Sequence, residues 1–426
     1  MFKNTVLFLV MVVLSCGNKV DGNTPETDTS EALAVNETTP ETASNDIIVG
    51  ANRTSEYLKL LNGKTIGIVA NQTSIVQRLQ RKAIDASTMG SEMVDVHLVD
   101  FLHENRSVNV ASVFAPEHGF RGTADAGELV SDGKDIKTGL PIYSLHGKHK
   151  KPSDEQLNGL DAVVFDIQDV GVRFYTYIST LHYVMEACAE NNIPLIILDR
   201  PNPNGNYVDG PTLEKEHSSF LGKHPIPLVH GMTIGEYAQM INGENWLIDG
   251  VQCDISIVTL ENYTHESRYS LSVRPSPNLP NDQAITLYPS LGLFEGTNIN
   301  AGRGTEFQFQ RYGAPFLDKS YYEFSYTPQP NFGSKYPKHD GKLSYGVDLS
   351  EVKAERAFTL KYVIDAYQNS TDKSKVFNTK NFTTHAGTAK LQKQIEAGKT
   401  EAEIRKTWEK DLEDFKKTRA KYLIYD

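Results

Sequence analysis

Five short apolar runs, at residues 66–70, 96–102, 110–115, 162–165 and 194–198, constrain the fold of this chain more than any other feature. They are rich in β-branched residues, do not alternate with polar ones, and are separated by segments of helical periodicity. A strand with one wet face alternates, whereas a continuously apolar strand is covered on both faces. Strands of that kind, joined by helices, build a parallel sheet between two helical layers. The pattern therefore predicts an α/β domain with a doubly wound, mostly parallel sheet over residues 47–262. Two of the helices are marked clearly. Ser153 with Gln156 reads as a capping box ahead of Leu157 and Leu160. Tyr177, Leu181, Val184, Met185 and Cys188 recur at helical spacing and stop at Asn191-Asn192.

Beyond about residue 265 the texture changes. Pro275, Pro277, Pro280, Pro289, Pro315, Pro328 and Pro330 interrupt a segment rich in Tyr, Gly and Asn. One strong helix closes the chain, from Glu401 to about Tyr422, with Ile404, Trp408, Leu412 and Phe415 as its apolar stripe. Residues 263–426 are therefore expected to form a smaller α+β C-terminal domain that closes the cleft of the first.

The N-terminus carries Lys3 and an apolar run at 5–14, shorter than the ~20 residues a membrane-spanning helix needs and suited to a signal peptide. It ends in Leu14-Ser15-Cys16-Gly17, which resembles the bacterial lipobox. The expectation is a lipoprotein signal at 1–16 and lipidation at Cys16, giving a membrane-anchored protein of the cell envelope. Residues 17–46 hold scarcely an apolar side chain, cannot offset the entropy of ordering, and read as a disordered tether. Cys188 and Cys253 remain, and they read as buried thiols. A net charge of −11, from 43 basic and 54 acidic residues, argues against nucleic acid as a partner.

In an open parallel sheet, ligands bind beyond the carboxyl ends of the strands. Here those ends are polar. The run at 66–70 leads into Asn71-Gln72-Thr73, and that at 110–115 into Pro116-Glu117-His118-Gly119-Phe120-Arg121-Gly122. The run at 162–165 leads into Asp166, Gln168, Asp169, Arg173 and Tyr175, and that at 194–198 into Asp199-Arg200-Pro201-Asn202-Pro203-Asn204-Gly205. Amides and carboxylates take sugar hydroxyls, aromatic rings cover sugar faces, and arginines bind anions through two N–H groups. Each piece also has a structural reading. Glu117-His118 could cap a helix, Asp166 or Asp169 could do the same, Arg173 could bridge either aspartate, and Asn202 to Gly205 is turn chemistry. It is the recurrence at four strand ends that points to a site. Gly302-Arg303-Gly304-Thr305 could form an anion-binding nest or a plain glycine turn. His230 could be a core histidine or face the cleft. No G-x-G-x-x-G follows the first strand, so no dinucleotide cofactor is expected. His118, His230, Asp166 and Asp169 lack metal-ligand spacing, so no metal is expected either.

Several of these motifs together resemble a known family. PEHGFRG (116–122), DIQDVGVRFYTY (166–177), LDRPNPNG (198–205), VHGMTIGE (229–236) and EGTNINAGRGT (295–305) are similar to the NamZ-type exo-β-N-acetylmuramidases, formerly a domain of unknown function. The likeness extends to VGANRTSEYL and GIVANQTS near the start and to the last thirty or so residues. It implies a Rossmann-like domain with a smaller C-terminal domain, and hydrolysis of terminal, non-reducing N-acetylmuramic acid from peptidoglycan-derived muropeptides or disaccharides. Glycoside cleavage needs a proton donor and usually a second carboxylate. Glu117 matches the motif as the acid, and burial at a strand end would raise its pKa into a useful range. Asp166 or Asp169 would be its partner, with Glu306 a weaker option. Arg121, Arg173 and Arg303 are candidates for the lactyl carboxylate of the sugar. His118, Tyr175, Asn202, Asn204 and His230 would hold substrate or orient the acid. The chain departs from the family after Thr305, where Glu306-Phe307-Gln308-Phe309 replaces an expected proline-phenylalanine segment. Two rival functions stand beside this one: a cell-wall-sugar-binding lipoprotein without catalysis, which shares every recognition residue, and a metal-dependent hydrolase or deacetylase using the His/Asp set.

Overall fold

The computed structural model describes residues 46–83, 89–121 and 132–426. The expected signal peptide, Cys16 and the expected tether up to residue 45 lie outside the described residues. Near the start of the described residues, Ile48 bridges Glu261.

Twelve strands are present among the described residues: β1 Thr65–Ala70, β2 Ile75–Ala83, β3 Met89–His97, β4 Asn109–Ala115, β5 Gly133–Lys134, β6 Pro141–Ser144, β7 Ala162–Asp166, β8 Leu195–Leu198, β9 Ile255–Val258, β10 Arg311–Ala314, β11 Phe324–Tyr326 and β12 Ser344–Asp348. Seven form one sheet in the order β5-β6-β4-β1-β7-β8-β9. Every neighbouring pair is parallel except β5 with β6. The chain runs from β1 outward through β4 to β6, then returns to place β7 on the other side of β1. The loops after β1, β4 and β7 thus meet where the strand order reverses, the usual place for a ligand in such a sheet.

Alternate residues of the central strands enter two separate cores, which is why these strands are apolar throughout. Val69, Val163, Phe165, Leu195 and Ile197 pack on one face, while Ile66, Ile68, Ala162, Val164, Ile196 and Leu198 pack on the other. The first core continues without a break into the C-terminal part, through Leu291, Phe294, Phe382, Trp408 and Phe415. There, β10, β12 and β11 form a small antiparallel sheet.

The helices follow their end signals. In chain order the ones used below are α1 Leu98–Glu104, α2 Asp154–Leu157, α3 Tyr177–Glu190, α4 Ile234–Gly243, α5 Asp282–Leu291, α6 Lys361–Gln368, α7 Thr379–Ala386, α8 Glu401–Arg405 and α9 Glu409–Arg419. Ser153 and Gln156 form the expected capping box on α2, and Thr233 caps α4 with Glu236. Cys188 and Cys253 are buried free thiols.

Two expectations are corrected. Residues 98–102 are helix rather than strand: β3 stops at His97, whose Nδ1 accepts from the Val99 amide at 3.2 Å and caps α1. Its Nε2–H donates to the Asn71 carbonyl at 2.9 Å, which fixes the ring. The closing helix is two helices, because Trp408 leaves helical geometry (φ −122°) between α8 and α9 while its ring enters the core. The apolar stripe still faces inward, with Ile404, Trp408 and Phe415 buried.

Candidate active site

A cavity of about 130 Å³ opens beyond the carboxyl ends of β4 and β7, and segments from both halves of the chain line it. The β4 loop brings Glu117 and His118. The β7 loop and the start of α3 bring Phe174, Tyr175, Thr176 and Tyr177. The C-terminal half adds Asn278, Tyr288, Glu295, Arg303, Phe309 and His385.

Glu117 is half-buried, and its Oε2 accepts from the Thr176 hydroxyl at 2.7 Å. Thr176 is the N-cap residue of α3, so the carboxyl is tied to a helix start. The turn that delivers Glu117 is strained. His118 has φ +69° and Gly119 φ +75°, and a left-handed histidine is held only where the surroundings fix it. An aromatic wall faces this carboxyl. Tyr175 packs edge-on against Tyr177 at 4.9 Å and against Tyr288 at 5.9 Å, and Tyr288 meets Phe174 at 5.4 Å and Phe309 at 4.8 Å. The Tyr175 hydroxyl donates to the Pro275 carbonyl at 2.7 Å, and Asn71 donates to the Tyr177 hydroxyl at 2.8 Å. Burial, reinforced by the charge of Glu117, pushes the Tyr177 hydroxyl well up, so it stays protonated.

The second carboxyl on the cavity is Glu295. Arg303 donates to its Oε2 at 2.8 Å. Lys338 sends its Nζ to the carbonyls of Phe294 at 2.8 Å and of Glu295 itself at 3.3 Å. Burial alone would raise the pKa of Glu295, but Arg303, Lys338 and His385 overcome it and hold the carboxyl down at about 2. Arg303 also donates to the Gly333 carbonyl at 3.2 Å, while its Nε–H has no acceptor among the described residues. His385 donates from Nδ1 to the Asn381 carbonyl at 2.8 Å, and burial lowers its pKa.

Of the residues singled out in the sequence, Glu117, His118, Tyr175 and Arg303 line this cavity. The others are elsewhere. Asp166 is fully buried and gives both oxygens to Arg200, at 2.5 and 2.9 Å. Burial pushes its carboxyl up against the pull of that guanidinium. Arg121 is taken by Asp135 and Asp100, at 2.8 and 3.1 Å. Arg173 is buried completely among main-chain carbonyls: Pro211 at 2.7 Å, Ile226 at 2.9 Å, His385 at 3.1 Å and Ala386 at 2.7 Å. It joins the end of α7 to the first half of the chain and is out of reach of a substrate anion. Burial lowers its pKa to about 9.

Asn202 donates to the Met232 carbonyl at 2.9 Å, and Asn204 to the Val170 carbonyl at 2.9 Å. Both brace loops. A Cβ on Gly171 (φ +77°) would meet the Asn202 side chain at 2.4 Å, so only glycine fits there. Asp169 accepts from the Gly171 amide at 2.7 Å and lies 3.7 Å from His230 Nε2; both residues are buried, and neither lines the cavity. Glu306 is exposed and does not line the cavity. Glu295, Thr176, Tyr288, Asn278 and His385 were not singled out. Glu295 opens the EGTNINAGRGT segment eight residues before Arg303 and could have been found there; Asn278 and His385 carry no local signal.

The chain matches two family profiles: the N-terminal part of the exo-β-N-acetylmuramidase NamZ over residues 66–283, and its C-terminal part over residues 286–425. It is 39% identical, over 391 residues, to the peptidoglycan β-N-acetylmuramidase NamZ of Bacillus subtilis (strain 168), covering 87% of this chain and 89% of that one. Two crystal structures of DUF1343 family proteins from Bacteroides fragilis share its fold. One has a TM-score of 0.78 at 43% identity, the other 0.72 at 27%, and each alignment covers 89% of this chain and 99% of that one. The chain belongs to the exo-β-N-acetylmuramidase NamZ family.

Proposed function

We propose that this chain is an exo-acting glycoside hydrolase that releases terminal non-reducing N-acetylmuramic acid from peptidoglycan fragments. The observation that carries this reading is a cavity lined by two carboxyls, Glu117 and Glu295, walled by aromatic rings and holding one arginine. Glu295 is kept ionised by its cations. The proton for the leaving oxygen must then come from the other carboxyl, and Glu117 is the general acid. Glu295 supplies the second carboxylate, opposite the positive charge that develops on the sugar ring. Phe174, Tyr175, Tyr288 and Phe309 cover the ring, and the Nε–H of Arg303 suits the lactyl carboxylate that distinguishes muramic acid from glucosamine. The lipobox-like Cys16 and the polar stretch after it support a lipid-anchored protein of the cell envelope, where wall fragments are the available substrate.

The test is hydrolysis of a chromogenic β-N-acetylmuraminide beside the matching glucosaminide. The muraminide should be cleaved, and Glu117→Gln should abolish cleavage while leaving binding of a muramic acid–glucosamine disaccharide largely intact. Cleavage of the glucosaminide alone would overturn the substrate. Full activity in Glu117→Gln would remove Glu117 as the acid. Binding without cleavage in the unmodified protein would leave a sugar-binding lipoprotein, and loss of activity on chelation, restored by zinc or manganese, would leave a metal-dependent hydrolase.

A further inference from the structure

A second cavity, of about 500 Å³, lies wholly in the C-terminal half and shares no lining residue with the first. Its size is within the ~300–1,000 Å³ range of small-ligand sites. Helix α6, strands β10, β11 and β12 and the segment before β11 line this open cavity, and Tyr312, Tyr321, Tyr322, Phe324 and Tyr362 give it an aromatic lining.

Asp365 fixes three of those rings. It accepts from the hydroxyls of Tyr312 at 2.7 Å, Tyr322 at 2.7 Å and Tyr321 at 3.0 Å, and from Asn369 Nδ2 at 3.1 Å. With its acceptor positions filled by neutral donors, Asp365 acts as an organiser of aromatic surface. Tyr312 and Tyr322 are buried, but Tyr321 is 56% exposed in spite of that anchor. A tyrosine held by its hydroxyl and open on its ring has lost the rotamer freedom that ligand binding would otherwise have to remove. The rest of the lining mixes charge. Lys361 is an exposed donor, Glu323 an exposed acceptor, and Asp348 is paired with Arg311 at 2.9 Å. A simple anion would meet Asp365 and Glu323, and a simple cation would meet Lys361. A ligand with hydroxyls on its edge and C–H groups on its face meets both donors and acceptors, and it covers the rings; that description is a saccharide.

We propose that this tyrosine-lined cavity is a glycan-binding site that holds the wall polymer apart from the cavity that cleaves it. The identity of the glycan rests on the function proposed above; the existence of the site does not. Retention on peptide-stripped peptidoglycan glycan strands coupled to a solid support is the readout, in a Glu117→Gln background that prevents turnover. Tyr321→Ala with Tyr362→Ala should weaken retention about tenfold, and Tyr321→Trp should keep it, since an aromatic face is what is removed and restored. Tyr321→Ala alone, with Glu117 intact, should cleave the soluble chromogenic muraminide at the unmodified rate. Unchanged retention in the folded double variant overturns the proposal. So does a loss seen only on peptide-bearing wall, which would make this a peptide site. If the unmodified protein cleaves no muraminide, the proposed function falls, and the retention series still decides the second cavity.

Discussion

Arg303→Met is the most direct test of the electrostatics of the candidate cavity. Arg303 donates to Glu295 at 2.8 Å and is the strongest of the groups that hold this carboxyl at about 2. The distance from an ordinary glutamate, near 4.3, corresponds to about 3 kcal/mol in favour of the ionised form. The Glu295 side chain is 24% exposed, and Lys338 and His385 remain in the variant, so roughly half of this should be lost. The acid limb of the kcat/KM profile should then move up by about one to two pH units. Stability carries the same sign. Because the folded pKa of Glu295 lies below the unfolded one, its contribution is complete above about pH 4.3 and is lost as the pH falls towards 2. Arg303→Met should therefore unfold at lower temperature at pH 7, and the gap from the unmodified protein should narrow on acidification through that window. The assay is kcat/KM on the chromogenic muraminide from pH 3 to 8, with thermal unfolding in parallel. Loss of lactyl binding alone would lower kcat/KM evenly at every pH. A folded variant whose acid limb stays in place would refute the assignment of Glu295 as the ionised carboxylate.

Two further substitutions separate structure from catalysis. Arg173→Met strands four carbonyls that share one buried guanidinium, and it should cost about 3–5 kcal/mol of stability in denaturant titration. Unaltered stability with a raised KM would instead return Arg173 to the substrate. Asp166→Ala leaves Arg200 buried without its bidentate partner and should also cost about 3–5 kcal/mol, with activity per folded molecule reduced less than about tenfold. A loss of several orders of magnitude at unchanged stability would make Asp166 catalytic after all.

The arginines show where sequence stops being informative. Arg121, Arg173 and Arg303 each stand in a polar, glycine-containing loop and look equivalent along the chain. What separates them is the partner. Glu295 is eight residues from Arg303, within reach of local reading. Asp100 and Asp135 lie 21 and 14 residues from Arg121, and the acceptors of Arg173 lie 38 to 213 residues away. Only the closed fold could assign those two. The same limit applied to 96–102: a short apolar run fits either a strand or a buried helix, and the His97 cap, which depends on Asn71 in a neighbouring loop, decided it.

Asp166 was more legible than its first reading allowed. Side chains of a strand alternate between the two faces, so a residue at a strand end inherits the face of the residue two before it. Ala162 and Val164 belong to one core, and Phe165 to the other. The cavity wall of Phe174, Tyr175, Tyr177, Tyr288 and Phe309 is continuous with the core that holds Phe165. By parity, then, Asp166 follows Val164 to the opposite face and cannot reach that wall without a break in the strand. Arg200 obeys the same rule two residues after Leu198, which shares a core with Val164, and the two charges meet there. Glu117 escapes the rule because β4 ends at Ala115 and Glu117 lies in the turn closed by the Gly119 amide on the Pro116 carbonyl, outside strand register. A charged residue still in strand register is bound to its face; one in the turn that follows can be aimed, and at this sheet edge the cavity takes its β4-side carboxyl from that turn.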